Sequence, residues 1–548
     1  MTNAPAPVDL AVGTFSDHPP WLVEPASLRW RIGLDGVRAR TRAEVPQLTR
    51  ARRVPPLRRV VSAARHLGLP IASWALTDRR RGRPTSRAGL SRRLRVASER
   101  LGPTYIKLAQ IISAGEGLFP EELVTELKRC RDRVPPEPWD DVRRVVEEEL
   151  GRPLEEVFAS FERTPLAAAS IAQVHVATLV TGEEVVAKVQ RPQVAELVRR
   201  DLAMMSWLAP FLVGRIPVAS LANPPALVEL FADTISEELD FRLEAENMLD
   251  VARMLVELDQ RQFVVPRPHP ELVTRRLLVM ERLSGFAFDD VAGMRGAGVD
   301  TEAVVRTGMI AFLEGAMLHG IFHGDLHGGN LFVQPDGRTA LLDYGITGRL
   351  DEPRRLAFLR LLMASITNDV DTQLSALRDL GALPADADLA AVAHDLRLDQ
   401  PALDPTALTG DELVAELRRV VKALLGYGAR LPKELMLFVK NMVFLDGAIA
   451  TLAPDLDLFA EIGNVAAHFA TAHGERLSHD IGLDPRTVEI DLTGVKASFG
   501  VTPETEGLTY RELQQRRDVI RSRLGERQGR RRPRKRRGAR DFPTEDER

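Results

Sequence analysis

Cysteine is almost absent from this chain. Cys130 stands alone among 548 residues, which excludes an intramolecular disulfide and suits a reducing cytoplasm. Long apolar runs are lacking as well. The best candidate, Leu435 to Leu452, is broken by Lys440, Asn441 and Asp446 and is expected to be a buried helix rather than a membrane span. Met1 to Pro20 has no basic start followed by an apolar stretch, so no signal peptide is expected. Net charge is nearly missing too, at -3, but the balance hides segregation. Arginines outnumber acids from Arg29 to Arg100 and again near the C-terminus, so the middle is acidic. The Arg clusters at 79–83 and 530–537 lack interleaved aromatics and any reading motif, which argues against nucleic acid as a partner. What remains has the length and the hydrophobic share (44%) of a globular protein with two or three full-sized domains.

The residues that carry chemistry begin at Gly320-Ile321-Phe322-His323-Gly324-Asp325-Leu326-His327-Gly328-Gly329-Asn330, followed by Leu341-Leu342-Asp343-Tyr344-Gly345. An Asp, an Asn five residues later and then Asp-aromatic-Gly have the spacing of a kinase catalytic loop and its metal-binding Asp. Phosphoryl transfer needs a carboxylate beside the attacking oxygen, and a second carboxylate with an amide oxygen to hold magnesium on the phosphates. Asp325 fits the first role; Asp343 and Asn330 fit the second. Between them, Leu331-Phe332-Val333 and Thr339-Ala340-Leu341-Leu342 read as strands joined by a turn at Pro335-Asp336-Gly337. That hairpin would bring Asn330 and Asp343 to one mouth. A structural metal in the histidine-rich loop is the competing reading, but His323 and His327 have no Cys or further His at ligand spacing.

Upstream, Ala167-Ala168-Ala169-Ser170 lead into Val174–Leu179, a Thr181-Gly182 turn and a return strand, Val185–Gln190, carrying Lys188. This is the layout of a kinase N-lobe, in which Lys188 would hold the α- and β-phosphates. Alanine in place of glycine makes the preceding loop stiffer. One long helix is expected from Pro225 to Leu255. At 100° per residue, Glu237, Asp240, Glu244 and Asn247 share a face while Glu238 points elsewhere, so Glu244 is the expected ion-pair partner of Lys188. Leu277–Gly285 has the look of a hinge, with Met280, Glu281 and Leu283 facing an adenine edge, and Thr301 to His319 is an apolar-periodic helix entering the catalytic loop. Pro103 opens a helix with Tyr105, Leu108 and Ile112 on one side and Lys107 and Gln110 on another. From Leu57 to Leu67 a basic amphipathic helix, with Arg58, Arg59 and Arg65 opposite the apolar positions, would suit an anionic membrane or an acidic partner.

Together these elements, over residues 95–455, resemble the UbiB/AarF family of atypical kinases, whose members support isoprenoid-quinone biosynthesis and related lipid functions. Lys107-Leu108-Ala109-Gln110 looks like the family's KxGQ signature and Ala167-Ala168-Ala169-Ser170 like its Ala-rich nucleotide loop. Glu238-Leu239-Asp240 looks like its ExD motif. Departures are Ala109 for Gly, Gly328 for Pro and Tyr344 for Phe. The resemblance implies a protein-kinase-like two-lobed α+β fold that binds ATP or ADP with Mg2+. Asp325, Lys188 and Glu244 would be catalytic. Lys107, Gln110, Glu238 and Asp240 would be regulatory, with the Lys107–Gln110 helix lying over the cleft. The implied setting is the cytoplasmic membrane face and the implied acceptor is small or lipidic. A small-molecule phosphotransferase of the aminoglycoside or choline kinase type shares the loop spacing but does not explain Lys107, Gln110 or the Ala-rich loop. A nucleotide-sensing scaffold need not keep Lys188, Asp325, Asn330 and Asp343 together. The expected organisation is a disordered 1–28, a basic helical 29–95 and a helical extension at 96–160. An N-lobe at 161–283, a C-lobe at 284–475 and a C-terminal region at 476–548, ending in a basic disordered tail, complete it.

Overall fold

The computed structural model describes residues 21, 28–50, 59, 61, 62, 64–77, 83–113, 121–130, 135–212, 224–367, 369–398, 419, 420, 423, 424, 426–429, 432–482, 493, 496, 501, 502 and 504–529. The expected disordered N-terminus lies almost wholly outside them, as do part of the basic helix over 57–67 and the tail beyond 529.

Alternation along Glu184–Gln190 organises the upper sheet. Val185, Ala187 and Val189 pack with Val142, Val145 and Val146 of the Trp139–Leu150 helix, whereas Val186 joins the core cluster on the opposite face. Lys188, two residues on from Val186, therefore faces the cleft side. The strands run in the order Phe158–Phe161, Ala172–Leu179, Glu184–Gln190, Leu277–Glu281, Pro268–Val273, and Ala167–Ala168 pairs with Ala172–Leu179. Part of the Ala-rich loop is thus a short strand.

Below, a smaller sheet joins Phe263–Val264, Thr339–Leu341, Leu331–Val333 and Phe286–Ala287. Its central hairpin pairs Leu331 with Leu341 and lies where the turn residues require it. The chain after Gly345 does not pass straight into a helix. Thr347–Arg349 first forms a strand against Ile321–His323, with Thr347 opposite His323, and only then does the Glu352–Ile366 helix begin.

Three sequence expectations are corrected. The helix from Pro225 to Leu255 is two helices, Pro224–Glu238 and Phe241–Glu257. Asp240 adopts an extended conformation and caps the second by accepting from the Arg242 amide, as Asp does readily at an N-cap. The break is held by long-range bonds, from Gln190 Nε2 to the Leu239 carbonyl (3.1 Å) and from the Phe241 amide to the Arg275 carbonyl (3.1 Å). Next, the Pro103–Ser113 helix does not bury a single stripe. Tyr105 and Leu108 belong to the central core, while Ile106, Ala109 and Ile112 pack against Leu123 and Leu127, so the helix is wedged between two clusters. Finally, Arg59 is not part of an open basic face: its Nε lies 2.7 Å from Oδ1 of the fully buried Asp201.

Candidate active site

The break at Asp240 sets which carboxylates reach the cleft. Glu244, in the first turn of the second helix, places Oε1 2.6 Å from Lys188 Nζ, and Asp343 Oδ1 approaches the same ammonium at 3.2 Å. Burial works against the charge on Lys188, but Asp343 and Glu244 outweigh it and hold its pKa above the ordinary lysine value. Lys188 and Glu244 are 12% and 4% exposed in their side chains, whereas Asp343 is 46% exposed, so the Asp is the group turned toward the opening. Burial likewise opposes ionisation of Asp343, yet Lys188 and Lys107 hold its carboxyl down to about 2. Its backbone sits at φ 56°, a left-handed conformation that costs a non-glycine residue about 1 kcal/mol or more. The Gly345 amide bonds back to Asp343 Oδ1 at 3.1 Å, and Asn247 Nδ2 bonds the Tyr344 carbonyl at 2.9 Å. Tyr344, where Phe was expected, is fully buried.

The catalytic loop is fixed from both sides. His323 accepts from the Asp325 amide through Nδ1 and donates from Nε2 to the Leu342 carbonyl, each at 3.1 Å. That pattern requires the neutral Nε2–H ring, and burial lowers the His323 pKa accordingly. Asn330 Nδ2 donates to the Asp325 carbonyl at 3.1 Å, which leaves its Oδ1 for another partner. The Leu342 amide bonds the Asn330 carbonyl at 2.8 Å, so the hairpin brings Asn330 beside Asp343.

Two residues that sequence reasoning missed complete the loop. Lys440 Nζ pairs with Asp325 Oδ1. Neighbouring Asn441 accepts from the Leu326 amide at 3.1 Å and donates to the His323 carbonyl. Both lie on the Lys433–Leu452 helix. By length and composition this is the one candidate membrane span among the described residues, yet it packs on the Thr301–Glu314 helix through Phe438 and Phe312. Read as interruptions of an apolar run, Lys440 and Asn441 are the signal that this helix serves the cleft. Burial opposes ionisation of Asp325, but Lys440 and then Lys107 hold its carboxyl well below the usual range.

The signature helix reaches the same place. Lys107 Nζ lies 2.8 Å from Glu238 Oε1, with side chains 12% and 11% exposed. Against its burial, Glu238, Asp325 and Asp343 together keep Lys107 charged. Gln110, one turn on, is half-buried. Asp240 does not enter the cleft but forks onto Arg242 at 2.6 and 2.9 Å. Glu237, expected on the Glu244 face, turns to Lys433 at 3.1 Å.

The expected nucleotide loop and hinge are partly committed elsewhere. The Ala169 amide closes a turn on the Ala172 carbonyl (2.9 Å), and the Ala169 carbonyl accepts from Arg191 Nε (3.0 Å). Ser170 is buried, while Ala167 is exposed and Ala168 half-buried. Along the expected hinge, Met280 is buried and the Glu281 amide donates to the Arg267 carbonyl at 2.8 Å, while the half-buried Leu283 lies two residues past the end of the strand. The oxygens of Asp343 and Asn330 are hard donors of the kind magnesium prefers, and the buried, charged Lys188 lies alongside.

Comparison with known proteins places the chain in a family. Residues 129–376 match the ABC1 atypical kinase-like domain. An uncharacterized protein of Mycobacterium tuberculosis is 38% identical over 368 residues, covering 66% of this chain and 74% of that protein. A probable protein kinase UbiB of Marinobacter nauticus is 31% identical over 372 residues, covering 67% of this chain and 68% of its own. A solved structure of a Mycobacterium tuberculosis protein in complex with erythromycin matches 63% of this chain and 90% of that one, at 24% identity and a TM-score of 0.36. The chain belongs to the ABC1/UbiB family of atypical kinases and has its protein-kinase-like two-lobed fold.

Proposed function

We propose that this protein is an atypical kinase or ATPase that binds ATP or ADP with Mg2+. Its acceptor would be small or lipidic, in isoprenoid-quinone or other lipid metabolism at the cytoplasmic face of the membrane. The observation that carries the reading is the convergence on one ammonium, Lys188, of buried Glu244 and half-buried Asp343, with Asn330 at the same hairpin mouth. Lys188 would bind the α- and β-phosphates and Glu244 would orient it. Asp343 and Asn330 would hold magnesium, which neutralises phosphate charge when bound. Asp325 would take the acceptor's proton. A lipidic ligand is supported by an apolar cavity of about 700 Å³ in the helical lobe, lined by Met309, Leu313, Met317, Met363, Ile449 and Phe469, a size that suits a small molecule or a lipid chain.

The Lys107–Glu238 contact argues against a polypeptide acceptor, because it places a helix against the acidic residues of the cleft. It also favours this reading over an aminoglycoside-type phosphotransferase, which has no use for such a helix. The test is a thermal shift with ATP and Mg2+, run beside phosphate release and radiolabel transfer to a peptide library. Wild type should be stabilised and Asp343→Asn should not, because an amide lacks the charge that balances metal and phosphate. Phosphate should be released slowly with no peptide labelled. Equal stabilisation of both proteins would remove Asp343 from the metal site, and efficient peptide labelling would overturn the occlusion.

A further inference from the structure

Two histidines and a carboxylate meet in the helical lobe, apart from the residues gathered around Lys188. Glu314 ends the Thr301–Glu314 helix, with its side chain 1% exposed. His468 and His473 lie on the Leu458–Ile481 helix. Both imidazoles bring Nε2 to the same oxygen, Glu314 Oε1, at 2.7 Å each. Glu314 Oε2 is held by Gln260 Nε2 at 2.6 Å, so the carboxylate is oriented from behind and offers Oε1 to the rings. The ligand atoms lie within 4.8 Å of one another, the one such gathering among the described residues.

We propose that Glu314, His468 and His473 bind a divalent transition-metal ion of the zinc class. Two imidazole nitrogens and a carboxylate oxygen are a donor set that zinc accepts, with a fourth position left for water. Bonds of about 2.0–2.2 Å around a tetrahedral ion put ligand atoms roughly 3.3 Å apart. Each ring therefore has to withdraw from Glu314 by about half an ångström, while the two Nε2 atoms, which lie within 4.8 Å of each other, settle to about the same 3.3 Å spacing. On binding, each neutral ring carries its proton on Nδ1 and offers the Nε2 lone pair to the ion. Burial alone would push the Glu314 carboxyl up, but hydrogen bonds from His473, His468 and Gln260 bring it below the ordinary value. Gln260 has the place of an outer-shell partner that aims a ligand. His468, 35% exposed against 16% for His473, gives the ion a way in from solvent.

The site joins two elements that matter to the cleft. Beyond Glu314 the chain makes the Gly315–His319 turn and enters the Ile321–His323 strand before Asp325. A bound ion would pin the Leu458–Ile481 helix to the root of the catalytic loop, independently of magnesium and nucleotide.

The test uses untagged full-length protein stripped with a chelator. Zn2+ is then titrated in competition with a chromophoric chelator, and Co2+ is added separately to read its visible absorption. One equivalent per chain is expected, with Co2+ bands of four-coordinate intensity. His468→Ala and His473→Ala should each bind at least tenfold more weakly, and Gln260→Ala should lose roughly tenfold, the usual effect of removing an outer-shell partner. His479→Ala, on the same helix but 89% exposed, should bind as wild type does. Asp343→Asn should too, which separates this site from the nucleotide site. If an alanine variant fails to fold, His473→Gln, which keeps a donor for Glu314, replaces it. Failure of wild type to take up one equivalent, or binding unchanged in both histidine variants, overturns the site.

Discussion

Lys440 and Asp325 form an ion pair across 115 residues of sequence, and the Lys comes from a helix that composition alone would assign to a membrane or a core. The pair matters because, in the function proposed above, Asp325 takes the acceptor's proton, and Lys440 is the first of the charges that hold its carboxyl low against burial.

Replacing Lys440 by Met should raise the Asp325 pKa and leave its carboxylate unfixed. Phosphate release should fall by at least about tenfold, a part of the roughly 100- to 10,000-fold that a general base contributes, because the base is perturbed and not removed. Because the active form is the carboxylate, the acid limb of the pH–rate profile should move to higher pH. Lys440→Arg, which keeps the charge, should retain the wild-type limb. Identical limbs in wild type and Lys440→Met would show that Asp325 is tuned by something else.

Lys188→Ala should weaken nucleotide binding strongly, and Glu244→Gln should do so more mildly, by releasing the ammonium it holds at 2.6 Å. Glu238→Gln should not follow them, since Glu238 meets Lys107 instead. Calorimetric titration with ATP and Mg2+ ranks the three variants. If Glu238→Gln mimics the loss of Lys188 and Glu244→Gln does not, the pairing seen here is not the one that serves the nucleotide.

Breaking the Lys107–Glu238 pair should free the covering helix and raise basal phosphate release several-fold. Lys107→Met leaves Glu238 buried without its partner, which costs about 3–5 kcal/mol when a buried pair is cut on one side. The double variant Lys107→Met/Glu238→Gln should recover part of that stability while keeping the faster release. Denaturant midpoints and phosphate assays on the three variants report the two effects separately. Slower release in the double variant would mean the pair supports catalysis rather than covering it.

His269 supplies a pH prediction. Its Nδ1 accepts from the amides of Glu271 at 3.0 Å and Leu272 at 3.1 Å, so the folded ring must be neutral, and burial lowers its pKa to about 4. The unfolded chain binds a proton there near pH 6.5 and the folded one does not. Stability from this group is therefore complete above about pH 6.5 and is lost as pH falls toward 4, by at most about 3 kcal/mol. His269→Asn keeps an acceptor for the two amides but does not titrate. Its urea midpoint should fall less than that of wild type between pH 7 and pH 4, with His319, also held near 4 by burial, retaining part of the slope. Parallel curves for the two proteins would exclude His269 as the titrating group.

Much of this protein is legible in one dimension, wherever a residue's role is set by its near neighbours. The Asp325–Asn330–Asp343 spacing, the turn that folds Leu331–Val333 onto Thr339–Leu341, and the alternation that turns Lys188 away from Val185 and Ala187 are all local. The choice of Glu244 over Glu238 was also within reach of helical periodicity, although the helix assumed for it is broken.

Tertiary structure decided the rest, because the deciding contacts join distant segments. Glu238-Leu239-Asp240-Phe241 holds no Gly or Pro, and its one local start signal, the N-cap Asp240, does not by itself end the helix before it; the break is held because Gln190 and Arg275 bond its backbone. That break lets Glu238 turn to Lys107 while Glu244 meets Lys188. Lys440 reads as a flaw in an apolar helix until the fold carries it to Asp325. Likewise His468 and His473 are unremarked along the chain and become a cluster only where their helix crosses Glu314. A buried charge is expensive without a partner, and which partner it finds depends on packing that residue spacing does not encode.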